Sequence, residues 1–201
     1  MNRQSVIYLF LIFLTGFSCT KAQKTDDGQI LIVYLSRTQN TKTLAEIIQK
    51  RVGGDLVALE LVNPYPENYQ EIVSQVSDEL DKGFLPPLKT KIDIDKYDIV
   101  FIGFPTWAMQ LPPPVQSFLS QYPMEGKTLI PFNTNAGYGL GSTIDTIKKL
   151  CPKATIMKEF SMVGGKERDG IFLTIEGKKK TETELKVEKW FDSIEILVES
   201  E

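Results

Sequence analysis

The chain has 201 residues, 42% of them apolar, with a formal net charge of −3 and a sequence pI near 5.2. That suffices for one α/β domain with a full core, and the acidic balance excludes the basic face that a nucleic acid requires. Histidine is absent, which removes Ser-His-Asp and Cys-His catalysis and most transition-metal sites, so any chemistry comes most simply from a bound cofactor.

Arg3 gives a short positive region and Val6 to Leu14 an apolar one. As a helix, Val6 to Phe17 would reach about 18 Å against the ~30 Å hydrocarbon core, so residues 1–19 read as an export signal rather than a permanent span. Leu14-Thr15-Gly16-Phe17-Ser18-Cys19 resembles the lipobox of bacterial lipoproteins, with Gly16 where leucine is usual. The resemblance implies acylation of Cys19 and an exported protein anchored to a membrane on the periplasmic side or cell surface. Cys151 then lacks a disulfide partner and is expected to pack at a helix end. Residues 20–28 are polar and read as a linker, which leaves a domain from 29 to 201.

Ile30 to Leu35 are six apolar residues in a row, the pattern of a buried parallel strand. The loop Ser36-Arg37-Thr38-Gln39-Asn40-Thr41 follows, then a helix with Leu44, Ile47, Ile48 and Val52 on one face and Gly53-Gly54 at its end. The unpaired N–H groups and partial positive charge at a helix start favour an anion there. Arg37 is placed either to add a full charge or to face water, and Thr43 with Glu46 reads as a capping box that needs no ligand.

A second strand is expected over Leu56–Val62, and a helix through Ile72, Val73, Val76 and Leu80 follows the connector Asn63–Glu67. The third strand, Tyr97–Pro105, leads into an apolar loop carrying Trp107, which reads as a core lid or as a stacking platform for a flat ring. A helix through Val115, Phe118 and Leu119 comes next. The fourth strand, Lys127–Asn133, enters the loop Thr134–Ser142, whose three glycines let backbone approach a ligand closely. A helix with Ile144, Ile147 and Leu150 precedes a fifth strand over Ala154–Phe160 and an optional extra strand over Ile171–Ile175. Lys178-Lys179-Lys180 reads as a solvated turn. The final helix packs through Val187, Trp190, Phe191, Ile194 and Val198.

The expected fold is α/β: a doubly wound five-stranded parallel sheet of order 2-1-3-4-5 with helices on both faces. Its ligands lie beyond the carboxyl ends of the strands, beside the switch point between strands 1 and 3. The loops after strands 1, 3 and 4 are neighbours in such a sheet. Together they offer an anion cradle, an aromatic face and a polar backbone rim, which suits a phosphorylated flat heterocycle.

Three stretches carry a family resemblance: Tyr34-Leu35-Ser36-Arg37-Thr38-Gln39-Asn40-Thr41, Gly103-Phe104-Pro105-Thr106-Trp107 and Gly137-Tyr138-Gly139-Leu140-Gly141. With them the domain resembles the flavodoxin family, and is similar to the flavodoxin-like NAD(P)H-dependent oxidoreductases found as bacterial lipoproteins. The resemblance implies FMN, with Ser36, Arg37, Thr38, Gln39, Asn40 and Thr41 at its phosphate. It implies Pro105, Thr106, Trp107 and Ala108 along the isoalloxazine, and Asn135, Ala136, Gly137 and Tyr138 at the pyrimidine edge. Gln39 stands where the family's phosphate loop has glycine, at a cost of order 1 kcal/mol if that position needs φ > 0. Ala108 stands where flavodoxins often have a glycine whose peptide hydrogen-bonds the reduced flavin.

The resemblance implies an FMN-binding redox protein that transfers electrons through bound flavin to a partner protein or a small-molecule acceptor. Two alternatives stand beside it. One is an NAD(P)H-dependent FMN oxidoreductase of the quinone-reductase type, and the other a non-catalytic binding module that has lost tight FMN binding through Gln39. No cation occurs in the loop 133–142, so nothing there favours an anionic reduced flavin. A response-regulator receiver and a low-molecular-weight phosphatase are excluded, since the first loop lacks both an acidic cluster and C-x₅-R.

Overall fold

The computed structural model describes residues 29–195; the export signal, Cys19, the linker and Val198 lie outside them. The elements are β1 (Ile30–Tyr34), α1 (Asn40–Val52), β2 (Asp55–Ala58), α2 (Tyr69–Lys82), β3 (Ile99–Pro105), α3 (Pro113–Gln121), β4 (Thr128–Asn135), α4 (Thr143–Leu150), β5 (Thr155–Ile156), β6 (Phe160–Val163) and α5 (Gly177–Ser193). The sheet is parallel throughout, in the order β2-β1-β3-β4-β5, with β6 also paired to β4.

Side chains alternate between two cores because successive strand residues point to opposite faces. Leu31, Val33, Val100, Ile102, Phe104 and Leu129 face α3 and α4, where they meet Val115, Phe118 and Ile147. Ile32, Tyr34, Phe101, Ile130 and Phe132 face α1 and α5, where they meet Leu44, Ile48, Val187 and Phe191. Gly103 breaks the second row for a steric reason: a Cβ there would lie 2.1 Å from the Phe132 ring.

Several elements differ from the sequence expectation. The fifth strand is two short pieces on one edge: β5 pairs with Thr128 and Leu129, and β6 with Phe132 to Asn135. Between them Trp190 Nε1 donates to the Lys158 carbonyl at 2.9 Å, drawing that group out of the ladder. The second strand stops at Ala58 instead of Val62, because the chain turns to an antiparallel bridge between Leu61 and Leu88. Ile171–Ile175 forms no strand, only a bridge from Ile171 to Lys166. Lys178 to Lys180 lie in the first turn of α5 rather than in a loop turn; Lys178 and Lys180 are exposed, while burial with nearby Lys186 holds Lys179 below the usual lysine range.

Candidate functional site

The carboxyl ends of β1, β3 and β4 open into one cleft. At β1 the capping box is not formed: α1 starts at Asn40, and Thr43 Oγ1 donates back to the Gln39 carbonyl at 3.0 Å. Gln39 takes the left-handed conformation at φ 64°, the conformation that would have called for glycine, and its side chain caps nothing. The loop closes instead through Ser36 Oγ, which accepts from Lys42 N–H at 3.2 Å. The backbone N–H groups of Thr38, Gln39, Asn40 and Thr41 reach no acceptor among the described residues. Four such donors at a helix start form a receptor for an anion.

Asn40 is committed elsewhere. Its Nδ2 donates to the Phe172 carbonyl at 2.7 Å, and its Oδ1 accepts from Thr174 and Ile175 N–H at 2.9 and 3.3 Å. The side chain therefore fastens a distant segment to the loop, while its N–H faces the cradle. Thr41 hydrogen-bonds Thr134 at the end of β4, Oγ1 to Oγ1, at 2.8 Å.

After β3, Trp107 and Gln110 pair their backbones in both directions at 2.8 and 3.3 Å. Ala108 and Met109 between them carry φ of 48° and 59°, as a type I′ turn requires. With Gln39 these are three of the four left-handed non-glycine residues among those described, so backbone strain, about 1 kcal/mol or more each, is concentrated at the cleft. The loop after β4 braces this turn. Thr106 Oγ1 donates to the Gly139 carbonyl at 2.9 Å, Ser142 N–H donates to the Met109 carbonyl at 2.9 Å, and a Cβ on Gly141 would sit 2.0 Å from that carbonyl. Asn135 shapes the same loop by accepting from Gly137 and Gly139 N–H at 2.9 and 3.2 Å.

Trp107 packs partly against the core and meets Tyr65 edge to face, with ring centroids 5.6 Å apart. The Tyr65 hydroxyl donates to the buried Glu79 carboxylate, and burial followed by that carboxylate pushes the phenol up. Trp107 is thus both lid and cleft wall, its indole braced from behind.

A segment that attracted no functional reading in the sequence completes the cleft. Residues 164–172 form a hairpin in which Lys166 and Ile171 exchange backbone hydrogen bonds at 2.6 and 3.2 Å. Glu167 on this hairpin accepts from Arg37 Nε with both carboxylate oxygens, at 2.8 and 2.9 Å, while Arg37 Nη1 donates to the Pro66 carbonyl at 2.9 Å and Nη2 to that of Glu67. Arg37 therefore neither offers a free charge to an anion nor points to water. The hairpin also corrects the expectation of a rim without cations: Lys166 Nζ lies 5.8 Å from the Tyr138 ring centroid and Arg168 stands beside the same phenol. Asp169 bridges both and keeps Lys166 above its ordinary range.

Arg37, Thr38, Thr41, Pro105, Thr106, Trp107, Asn135 and Ala136 meet around one concavity of about 120 Å³. Ala108 borders an adjoining one of about 270 Å³, and Ser36 another of about 390 Å³; Trp107 and Arg37 border all three. The side chains of Gln39 and Asn40 are not brought to these walls, and Gly137 and the exposed Tyr138 stand on the outer rim. Tyr69, Thr134, Gly165 and Glu167 join the walls unanticipated. Gly164-Gly165 directly after a strand was the sequence signal for the last two. The donor set fits a phosphate at 38–41 and a flat ring against Trp107.

A family model for flavodoxin matches residues 29–176. Among solved structures, a candidate flavoprotein from Bacteroides eggerthii superposes with a TM-score of 0.67 at 28% identity, covering 85% of this chain and 100% of that one. A second candidate flavoprotein, from Bacteroides uniformis, gives 0.66 at 22%, covering 80% and 98%. A flavoprotein from Lactobacillus acidophilus, solved in complex with FMN, gives 0.58 at 20%, covering 67% and 93%. No curated protein matches this chain.

Proposed function

Because the chain belongs to the flavodoxin family, we propose that it binds FMN in this cleft and passes electrons through the bound flavin. The observation that carries the reading is the set of four backbone N–H groups at 38–41 left without acceptors beside the braced Trp107. The similarity to a flavoprotein in complex with FMN supports the same ligand. FMN supplies reversible electron uptake when bound. This chain's residues would do the rest: the N–H groups of Thr38 to Thr41 would hold the phosphate, and Trp107 would exclude water from one ring face. The Asn135-folded loop would present backbone groups to the ring edge.

The signal and lipobox-like residues support an exported protein anchored through Cys19, with a redox partner protein or small acceptor outside the cytoplasm; mass spectrometry of membrane-extracted protein would find acyl chains on Cys19 if so. The cofactor is tested by the visible spectrum of the purified domain with and without FMN. Flavin bands that persist with NADH and NADPH and bleach only with dithionite support the electron carrier. Prompt bleaching by the nucleotide would replace it with a reductase, and absence of bands in excess FMN would overturn flavin binding.

A further inference from the structure

Arg37 and Glu167 are 130 residues apart and mostly buried, their side chains 21% and 15% exposed. Both border the concavity that contains Thr38 and Thr41. A carboxylate in that place resembles, in charge and in oxygen spacing, one edge of the phosphate for which the cradle is suited. Left unpaired it would repel such a ligand; paired with Arg37 it occupies a cation of the loop that carries the cradle.

The concavity of about 120 Å³ adjoins two others, of about 270 and 390 Å³, and Glu167 borders both it and the first of these. Glu167 reaches these walls from the hairpin. Its tip closes on itself through Lys166 and Ile171, and its ties to the body lie at the stem, where Gly164 N–H donates to Asn135 and Asn40 holds Phe172, Thr174 and Ile175. Ile171 and Phe172 are about half exposed. The tip is tied to the loop after β1 through Arg37 and Glu167.

We propose that Glu167 is an internal stand-in for the ligand's phosphate. It holds Arg37 until a phosphorylated ligand exchanges for it, and the exchange releases the hairpin tip from the cleft. Glu167 is then a specificity-determining residue: by competing for Arg37 it lowers the preference for a phosphorylated ligand over its unphosphorylated form, a preference that Arg37 raises. The inference rests on the anion-binding reading of the cleft and goes beyond it in assigning Glu167 as competitor and Arg37 as the group competed for.

The experiment titrates FMN and riboflavin into the full-chain protein and its Glu167→Gln variant, following flavin fluorescence. Glutamine keeps an oxygen for Arg37 and removes the charge, and melting curves verify that the variants fold. The expected result is FMN binding about tenfold tighter in Glu167→Gln with riboflavin unchanged, and inorganic phosphate competing with FMN at about tenfold lower concentration. Adding Arg37→Gln should abolish that gain. Equal changes for both flavins, no change, or weaker binding of FMN would reduce the pair to scaffolding and overturn the proposal. If neither flavin binds any variant, the FMN reading fails while this one is still decided by calorimetry with inorganic phosphate alone. Tighter phosphate binding by Glu167→Gln then supports exchange, and equal or absent binding overturns it.

Discussion

The loops after β1 and β3 both bend through left-handed backbone at residues other than glycine, yet they treat their polar groups in opposite ways. The turn at Trp107 to Gln110 closes on itself and is braced by Thr106, Gly139, Gly141 and Ser142. The loop at Ser36 to Thr41 is held by side chains, Ser36 to Lys42 N–H and Asn40 to Thr38, and leaves four backbone N–H groups unanswered among the described residues. Strain in the first is held by protein contacts, so that loop is a wall. The second is short of acceptors and is completed by whatever anion enters, so it is a receptor.

The sharpest way to break the contrast is Gly141→Ala, which drives a Cβ into the Met109 carbonyl at a position with φ 59°. It should cost about 2–4 kcal/mol in urea unfolding, and a near-neutral result would show that the brace is not tight. Trp107→Ala should weaken FMN by about 1–3 kcal/mol in a fluorescence titration; unchanged affinity would remove Trp107 from the ring contact. Gln39→Gly should stabilise the fold by about 0.5–1 kcal/mol, since glycine adopts φ 64° without steric cost, with FMN affinity kept or raised. A loss of stability there would mean that the Gln39 side chain contributes something its contacts do not reveal.

Cys151 serves as a control remote from both loops. Burial raises its thiol from 9.0 to about 11, so the folded state resists an ionisation that the unfolded chain undergoes. That contribution is fully present below pH 9 and is lost as pH rises toward 11. Cys151→Ala should therefore flatten the fall in unfolding free energy over that window and leave FMN titrations unchanged. An alkaline limb of the same slope would exclude the thiol as its cause.

What the sequence made legible follows from how local each feature is. β1 and β3 are continuous apolar runs and β4 holds a shorter one, Leu129 to Phe132, all covered on both faces, and the chain order of their loops then locates the cleft. The left-handed backbone at position 39 was reached through the family resemblance, whose phosphate loop has glycine there. The capping box failed because Asn40, held by Phe172 and Thr174, starts the helix four residues before Leu44, where a cap at Thr43 would have begun it. The broken fifth strand depends on an indole taking one carbonyl 32 residues away. Arg37 found its partner 130 residues along the chain. Such partnerships follow no spacing rule, and they account for the hairpin and its cations escaping the sequence.

The parallel sheet also has a direction. β1, β3 and β4 start at one edge and end at the cleft, and the seven residues of β3 alone separate the two by about 23 Å. The described chain enters at the starting edge, with Ile30 as the first residue of β1. Held by its amino end through a short tether, the protein would be gripped from beneath, and the mouth of the cleft would look outward to whatever diffuses past.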